Sequence, residues 1–248
     1  MRLVLSTIKS LAQGTSFMIE LYYWPTPNGY KISIALEELG LDYEVKPINI
    51  GKGDQFAPEF LAFSPNNRMP AIIDHDGPDG APVSIFESGA ILLYLAQKTG
   101  KLMPSATREQ IEVTEWLMWQ MGGFGPMLGQ AHHFIKYAKE HNAYGIERYG
   151  NEANRLYGVL DRRLEGREFI VGSELTIADI AILPWTRTYQ DQHVDIEEYQ
   201  NVKTWRARLF QRPAFQAGYK VGAEWREDLA KLTGAEWDKM FGMGDTKS

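Results

Sequence analysis

The chain changes its pattern of hydrophobic residues near residue 100, and this change limits the folds that it can adopt. Up to that point, short strand-like runs alternate with helix-like runs. Beyond it the strand signals cease, and helical periodicity continues to about residue 230. We therefore predict two structural units at residues 18–100 and 107–230, preceded by an extension at 1–17 and followed by a loose tail at 231–248.

The first unit has the pattern strand, helix, strand, then two strands in a hairpin and a final helix. Its first helix places Ile32, Leu36 and Leu39 on one face and ends at Gly40. Proline cannot donate a ladder hydrogen bond, so Pro47 indicates that the second strand lies at a sheet edge. A mixed sheet with helices in this order is an α/β thioredoxin-like fold. The predicted segments are strands 19–23, 43–48, 71–74 and 83–86, a short helical piece at 58–63 and a helix at 88–99.

The second unit is predicted to be entirely helical. Residues 107–120 have helical periodicity, and the glycines and proline of 122–126 are expected to bend or break the helix that follows. Helices then resume through His133 and again at 146–164. A last amphipathic face ends before Pro213 and contains Val202, Trp205 and Leu209.

A capping box is predicted at the start of a further helix in this unit. Thr176 stands three residues before Asp179, which replaces the usual Glu or Gln. Leu175 precedes the cap and Ile180 lies inside the helix, as in a hydrophobic staple. The predicted role of Thr176 and Asp179 is structural.

Two short segments of the first unit together suggest a pocket for a small peptide. Pro70 has no N–H, so the backbone of Met69 before it is left to pair with an extended ligand. Glu87 and Ser88 stand at the start of a helix, where a hydroxyl and free backbone amides suit a carboxylate. Glu87 requires a cation, and an amino acid end that carries an ammonium beside a carboxylate would satisfy both residues. The alternative for each segment by itself is a β-turn before a strand or a capped helix.

Composition excludes several classes of function. The chain has no cysteine, which rules out disulfides, thiolate zinc sites and a protein thiol nucleophile. A net charge of −6 without a basic stripe argues against nucleic-acid binding. We predict no membrane span and no metal site, because no long apolar run occurs and the adjacent His132 and His133 lack metal-binding spacing. Lys9 and Gln13 interrupt any export signal, so we expect a cytoplasmic protein.

These segments resemble the cytosolic glutathione transferases, in which an α/β thioredoxin-like domain is followed by an all-α domain. The resemblance covers residues 18–230 and sharpens to the nu class, which includes bacterial glutathione-dependent disulfide-bond oxidoreductases and a related yeast nitrogen-regulating prion protein. Ala131 departs from the close bacterial relatives, which have asparagine there. The class resemblance rests on residues 25–31, 51–56, 64–67, 128–134 and 146–149.

The resemblance implies roles for individual residues. It places Thr26 and Asn28 beside the sulfur of glutathione and makes the Met69–Pro70 bond cis. It implies a homodimer and two bound glutathiones per subunit, with a small-molecule or exposed disulfide as substrate. The residues implied to bind glutathione are Gln55, Arg68, Met69, Glu87 and Ser88, with Arg148 helping to hold the second molecule.

The chemistry can also be argued from the residues. Only a thiolate attacks, and the Thr26 hydroxyl, the Asn28 amide and a helix N-terminus can stabilise one by hydrogen bonds and by the helix dipole. Without cysteine, a mixed disulfide must be resolved by a second glutathione thiol. Each residue has a plainer alternative: Thr26 and Asn28 in a turn, and Arg148 paired with Glu152 one turn away. Conjugation of glutathione to electrophiles and a non-catalytic regulatory role are the alternative functions.

Overall fold

The computed structural model describes residues 18–226, 231 and 233–241. The predicted extension at 1–17 lies outside the described residues. The part of the chain from β1 to α3 forms a four-stranded sheet with helices on both faces, as predicted. Its elements are β1 (Ile19–Tyr23), α1 (Pro27–Leu39), β2 (Tyr43–Pro47), α2 (Pro58–Leu61), β3 (Ala71–Asp74), β4 (Val83–Phe86) and α3 (Ser88–Thr99).

The strand order is β2-β1-β3-β4, so β2 is an edge strand as Pro47 predicted. β1 and β2 are parallel, whereas β3 runs antiparallel to both β1 and β4. Side chains alternate along β1: Ile19, Leu21 and Tyr23 are buried in the main core, while Tyr22 packs in a smaller cluster around Phe60 of α2. The helices α1 and α3 therefore cover one face of the sheet and α2 covers the other.

The remaining described elements are helical, as predicted. They are α4 (Thr107–Trp119), α5 (Gly125–His132), α6 (Ala143–Leu164), α7 (Ile177–Ile182), α8 (Gln200–Phe210), α9 (Pro213–Lys220) and α10 (Gly234–Phe241), with a 3-10 segment at Leu183–Gln192 between α7 and α8.

The glycine-rich segment 122–126 was expected to bend or break the helix, and the structure shows that it does not break it. Gln120–Phe124 forms a π-helical turn whose flanking residues keep right-handed helical dihedral angles, and α5 follows without a loop. Gly125 allows this path, since a Cβ there would lie 2.6 Å from the Gln120 amide nitrogen and 3.3 Å from Trp185. Close packing therefore explains this glycine better than helix breaking does.

The described part of the C-terminal segment contains a helix that the sequence did not predict. We expected a loose segment at 231–248, but Gly234–Phe241 is helical and Trp237 is buried. The indole of Trp237 donates to the Tyr137 carbonyl at 2.9 Å, and Lys139 pairs with Asp238 at 2.7 Å. A short helix with one aromatic anchor is hard to recognise from periodicity because it presents so few buried positions.

The α/β unit and the helices share one core. Helix α1 is buried on nearly every side, because it lies between the sheet and the helices α3, α7 and α9. Arg212 at the start of α9 forms a bidentate ion pair with Glu38 of α1, with N–O distances of 2.7 and 2.9 Å. This ion pair joins the C-terminal end of α1 to the helical part of the chain, whereas the predicted site lies at the N-terminal end of α1.

Candidate active site

Thr26 is the N-cap of α1. Its hydroxyl oxygen accepts a hydrogen bond from the Gly29 N–H at 3.2 Å, and its hydroxyl group also contacts the Met69 sulfur at 3.9 Å. The Trp24 N–H donates to the same sulfur at 3.1 Å. Thr26 therefore has the turn-forming role of the plainer alternative, and its hydroxyl group donates to the Met69 sulfur, outside the helix. The Met69 side chain is brought to the start of α1.

Asn28 lies in the first turn of α1, and its orientation is set by the helical part of the chain. The Trp185 indole N–H donates to the Asn28 side-chain oxygen at 3.0 Å. Because the oxygen is occupied as an acceptor, the amide N–H groups of Asn28 are left to donate elsewhere. Trp185 was not identified from the sequence, since nothing in the local pattern of 183–192 links it to residues so far away in the chain.

Glu87 and Ser88 stand at the start of α3. Glu87 is the exposed N-cap residue and has a left-handed φ of 71°, an uncommon conformation for a residue other than glycine. Ser88 is 4% exposed and forms the first residue of the helix. The first backbone N–H groups of a helix have no partner within it, and they attract negative charge. The pair therefore presents an acid, a hydroxyl and an electropositive helix end.

A fully buried lysine lies behind Ser88. The Lys31 ammonium is 3.3 Å from the Ser88 hydroxyl, 2.6 Å from the Gln120 side-chain oxygen and 3.5 Å from the Met121 sulfur. Burial lowers the pKa of Lys31 to about 7, and the carboxylate of Glu87 opposes this shift. We call Lys31, Ser88, Gln120 and Met121 the Lys31 cluster.

Sequence reasoning missed Lys31. The available signal was its place one turn before Ala35, on a helix face that is otherwise apolar. Gln120 and Met121 reach the cluster from the π-helical turn, where they directly precede the glycines that we had expected to bend or break the helix. A lysine in a buried face is informative because its ammonium must find acceptors there.

The segment before β3 leaves backbone groups available. The registered pairs of β3 with both neighbours begin at Ala71, so Met69 is outside the ladder. The Met69–Pro70 bond is cis, the geometry that the resemblance implies. Arg68 is exposed, and its carbonyl accepts from the Ser64 hydroxyl at 2.8 Å.

Gln55 is buried in a short 3-10 turn after β2. Its amide N–H group donates to the Ile50 carbonyl at 3.4 Å, whereas its side-chain oxygen is buried without a hydrogen-bond partner among the described residues. An unsatisfied buried acceptor is costly, which makes it a natural contact point for a ligand N–H.

The structure does not connect Arg148 with the other predicted site residues. Arg148 is exposed in the first half of α6, and within the described ranges it forms no ion pair. Glu152, the partner expected in the plainer alternative, instead forms a bidentate ion pair with Arg155 at 2.7 and 2.8 Å. The Arg148 guanidinium is therefore available to an anion.

Thr176 and Asp179 form the predicted capping box at the start of α7. The Thr176 N–H and hydroxyl both donate to one carboxylate oxygen of Asp179 at 3.1 Å. The other carboxylate oxygen accepts from the Ile170 N–H at 2.9 Å and the Trp205 indole at 3.0 Å. These two residues join α7 to α8 and to the segment before α7, and they take no part in the site.

The described residues offer neither a metal site nor a membrane-spanning helix. No group of three or more His, Asp or Glu side chains there is arranged to hold a metal ion. Within the same ranges, none of the helices has both the length and the apolar composition needed to cross a lipid bilayer.

Comparison with known proteins follows the same division of the chain. The family model for the N-terminal domain of glutathione S-transferase matches residues 18–97, and that for the C-terminal domain matches residues 126–213. Disulfide-bond oxidoreductase YfcG of Escherichia coli (strain K12) is 52% identical over 198 residues, which cover 79% of this chain and 92% of that protein.

Two solved structures are similar over most of the chain. A glutathione transferase family member from Pseudomonas fluorescens pf-5, with two glutathione bound, has a TM-score of 0.80 at 47% identity and covers 85% of this chain and 95% of its own. A glutathione transferase from Pseudomonas putida, with one glutathione disulfide bound per subunit, has a TM-score of 0.80 at 43% identity. The match covers 85% of this chain and 94% of the Pseudomonas putida chain. The chain belongs to the glutathione S-transferase family.

Proposed function

We propose that this protein is a glutathione-dependent disulfide reductase that uses the thiols of two bound glutathiones. The observation that carries the proposal is that a chain without cysteine is 52% identical to a disulfide-bond oxidoreductase. Thiol–disulfide exchange requires a thiolate, and here the thiolate must come from the ligand.

The first glutathione would lie across the starts of α1 and α3. Its γ-glutamyl end meets Glu87 and Ser88, and its cysteinyl backbone pairs with Met69, whose backbone is outside the sheet ladder. The unpaired side-chain oxygen of Gln55 would accept a hydrogen bond from an N–H group of this glutathione, and the exposed Arg68 would lie beside the ligand.

Thr26 and Asn28 would stabilise the thiolate of this glutathione. The Asn28 amide is held by Trp185, and the Thr26 hydroxyl lies at the positive end of the α1 dipole. Neither group removes a proton at neutral pH, so the site lowers the pKa of the thiol instead of acting as a general base.

The proposed reaction consists of two successive thiol–disulfide exchanges. The first glutathione thiolate attacks one sulfur of the substrate disulfide, forms a mixed disulfide and releases the other substrate sulfur as a thiolate. The second glutathione thiolate attacks the glutathione sulfur of the mixed disulfide and releases the second substrate thiolate. The products are two substrate thiols, which take up the two glutathione protons, and one glutathione disulfide. The Pseudomonas putida relative, solved with glutathione disulfide bound, supports this product.

Arg148 is the proposed anchor of the second glutathione. It is exposed and forms no direct ion pair within the described part of the chain, although its charge acts on Glu152, and a guanidinium binds a carboxylate by two parallel hydrogen bonds. The test is Arg148→Ala, which should raise the glutathione concentration needed for half-maximal disulfide reduction about tenfold or more. Arg155→Ala is the matched control, because Arg155 is already paired with Glu152. Equal effects of the two variants would contradict this role.

The working molecule is proposed to be a homodimer in the cytoplasm. Three of the six exposed large hydrophobic side chains of the described chain, Phe86, Ile111 and Met118, lie on the edge strand β4 and on α4. Ile111 and Met118 border a groove of about 420 Å³ on α4. Exposed apolar side chains along one helix suit a two-fold interface. Cytoplasm is proposed because glutathione is kept reduced there.

The main test is glutathione-dependent reduction of 2-hydroxyethyl disulfide, run beside conjugation of 1-chloro-2,4-dinitrobenzene with the same preparation. Fast reduction with weak conjugation is the expected result. The opposite result would make the protein a conjugating transferase, since conjugation uses the same thiolate with a different second substrate. Inactivity in both assays, with glutathione still bound, would favour the non-catalytic regulatory alternative.

A further inference from the structure

The Lys31 cluster places a positive charge directly behind the residue proposed to bind the glutathione carboxylate. Lys31 is 0% exposed, and its nitrogen contacts three acceptors from two other elements. An ammonium has three protons, which matches the three acceptors. A neutral amine would have two protons and a lone pair, and the lone pair would have to face one of these acceptors.

The charges of the site are balanced when Lys31 is counted. A bound γ-glutamyl end brings one ammonium and one carboxylate to a site that already contains the Glu87 carboxylate. Without Lys31, two carboxylates would share a single ammonium. A carboxylate oxygen bonded to the Ser88 hydroxyl lies within about 6 Å of the Lys31 nitrogen, the sum of two hydrogen-bond lengths.

We propose that Lys31 is a positioning residue of the glutathione site, which orients the Ser88 hydroxyl and supplies the buried positive charge for the glutathione carboxylate, so that glutathione binds with uptake of a proton. This inference rests on the proposed glutathione site. It adds a residue that does not touch glutathione, and it links ligand binding to the contact between α1 and the π-helical turn of the helical part.

The direction of proton transfer follows from burial. In the free protein burial lowers the pKa of Lys31 to about 7, so near neutral pH the amine is only partly protonated. A carboxylate arriving at Ser88 favours the charged form and raises this pKa. The affinity for glutathione should therefore be highest below the pKa that Lys31 has in the free protein, and it should decrease as pH rises above that value.

Few other titratable groups face the cluster. On α3, the Glu87 carboxylate acts on Lys31, and Lys98 at the far end of the helix pairs with Asp74 at 3.0 Å. On α7, Asp179 is enclosed by its own donors. The 3-10 segment and α9 contribute Arg187 and Tyr219, which stack on each other near Tyr30.

The experiment is calorimetric binding of S-methylglutathione, which has no thiol to titrate. Titrations at pH 8 in buffers of different ionisation enthalpy give the number of protons taken up. The wild type should take up between about 0.5 and 1 proton per ligand bound, and its affinity should fall several-fold between pH 7 and 8. The Lys31→Met variant should take up none of these protons. At pH 7 its affinity for S-methylglutathione should be lower than that of the wild type by about tenfold or more.

Lys220→Met is the matched control, because Lys220 is an exposed lysine on α9, away from the cluster. It should behave as the wild type. Gln120→Glu provides a second test that keeps Lys31 in place. A carboxylate at this position, 2.6 Å from the ammonium, keeps Lys31 protonated to higher pH, so proton uptake at pH 8 should nearly vanish.

Binding without proton uptake in the wild type would overturn the inference and leave the proposed function standing. Equal uptake by the wild type and Lys31→Met would do the same. Failure of the wild type to bind S-methylglutathione or glutathione at all would overturn the proposed function together with this inference. Should Lys31→Met fail to fold, unchanged uptake by Gln120→Glu would overturn the inference.

Discussion

At the scale of single residues, the hydroxyl group of Thr26 caps α1 and is also the group proposed to stabilise the thiolate. Its oxygen caps α1 by accepting from the Gly29 N–H, and its proton remains for an acceptor outside the helix. Helix capping and the proposed thiolate stabilisation therefore depend on the same hydroxyl group, so an alanine substitution by itself cannot separate them.

We expect Thr26→Ser to retain both tasks and Thr26→Asp to retain only the cap. Aspartate is as good an N-cap as serine, but its negative charge disfavours a nearby thiolate. Thr26→Asp should therefore keep wild-type thermal stability. It should raise the pKa of the thiol of bound glutathione by about one unit or more and slow disulfide reduction. Thr26→Ala should lose about 1 kcal/mol of stability as well. Ultraviolet absorbance of the thiolate against pH measures the pKa, and an unchanged value in Thr26→Asp would remove Thr26 from the mechanism.

The sequence indicated the residues at the start of α1 and α3 because capping and turn chemistry are local. It did not indicate Lys31, Gln120 or Trp185, whose roles depend on contacts between segments distant in the chain. Hydrophobic periodicity shows which face of a helix is buried, but it does not show which element covers that face. Lys31 is buried because α1 is covered on nearly every side.

At the scale of elements, the capping box of α7 shows how far a local motif can be predicted. The Thr176–Asp179 pair was predictable from the sequence, but the two donors outside the motif that also bond to Asp179 were not. Asp179 therefore connects α7 with α8 and with the preceding loop. Asp179 should therefore contribute more to the free energy of unfolding than an ordinary helix cap does.

Asp179→Ala should destabilise the protein by about 3–5 kcal/mol, because it leaves buried donors without an acceptor. Thr176→Ala should cost about 1 kcal/mol, the usual value for an N-cap. Chemical denaturation with coincident probes measures both values. Equal costs would show that the bonds to Ile170 and Trp205 contribute little.

A second prediction at this scale concerns pH and α5. His132 of α5 is mostly buried, and its ring nitrogen lies 3.6 Å from the Asp191 carboxylate. Burial lowers the pKa of His132 from 6.5 to about 4, against the attraction of Asp191. Because the folded pKa is the lower one, the unfolded chain binds more protons between these values. His132 should thus reduce stability by up to about 3 kcal/mol as pH falls from 6.5 to 4.

His132→Phe tests this dependence, since a phenyl ring can keep the stacking on Tyr137 without titrating. The variant should lose less stability than the wild type between pH 6.5 and 4. His141→Gln, a change at an exposed histidine, should follow the wild-type curve. Parallel curves for wild type and His132→Phe would show that His132 titrates equally in the folded and unfolded states.

At the scale of the whole molecule, the α/β part and the helical part act as one structure. The bidentate Arg212–Glu38 pair, the Lys31 cluster and the Trp185–Asn28 bond all join α1 to the helical part. The order of helices and strands read from the sequence predicted both parts. It could not predict these three contacts, because they join residues far apart in the sequence. The proposed site is therefore built by both parts, although most of the residues proposed to bind glutathione come from the first.

The outer face of α4 is where the molecule leaves apolar side chains uncovered. Ile111 is 57% exposed and Met118 is 49% exposed, two turns apart on one stripe of the helix. We expect Ile111→Glu combined with Met118→Glu to convert the proposed homodimer into a folded monomer, because four carboxylates would meet across a two-fold interface. Light scattering after size exclusion measures the mass. Tyr144→Glu places an acid at another exposed aromatic position, 77% exposed at the start of α6, and should leave the dimer intact. A dimer that survives the double substitution would place the interface on another surface, and a wild type that is already monomeric would end the dimer proposal.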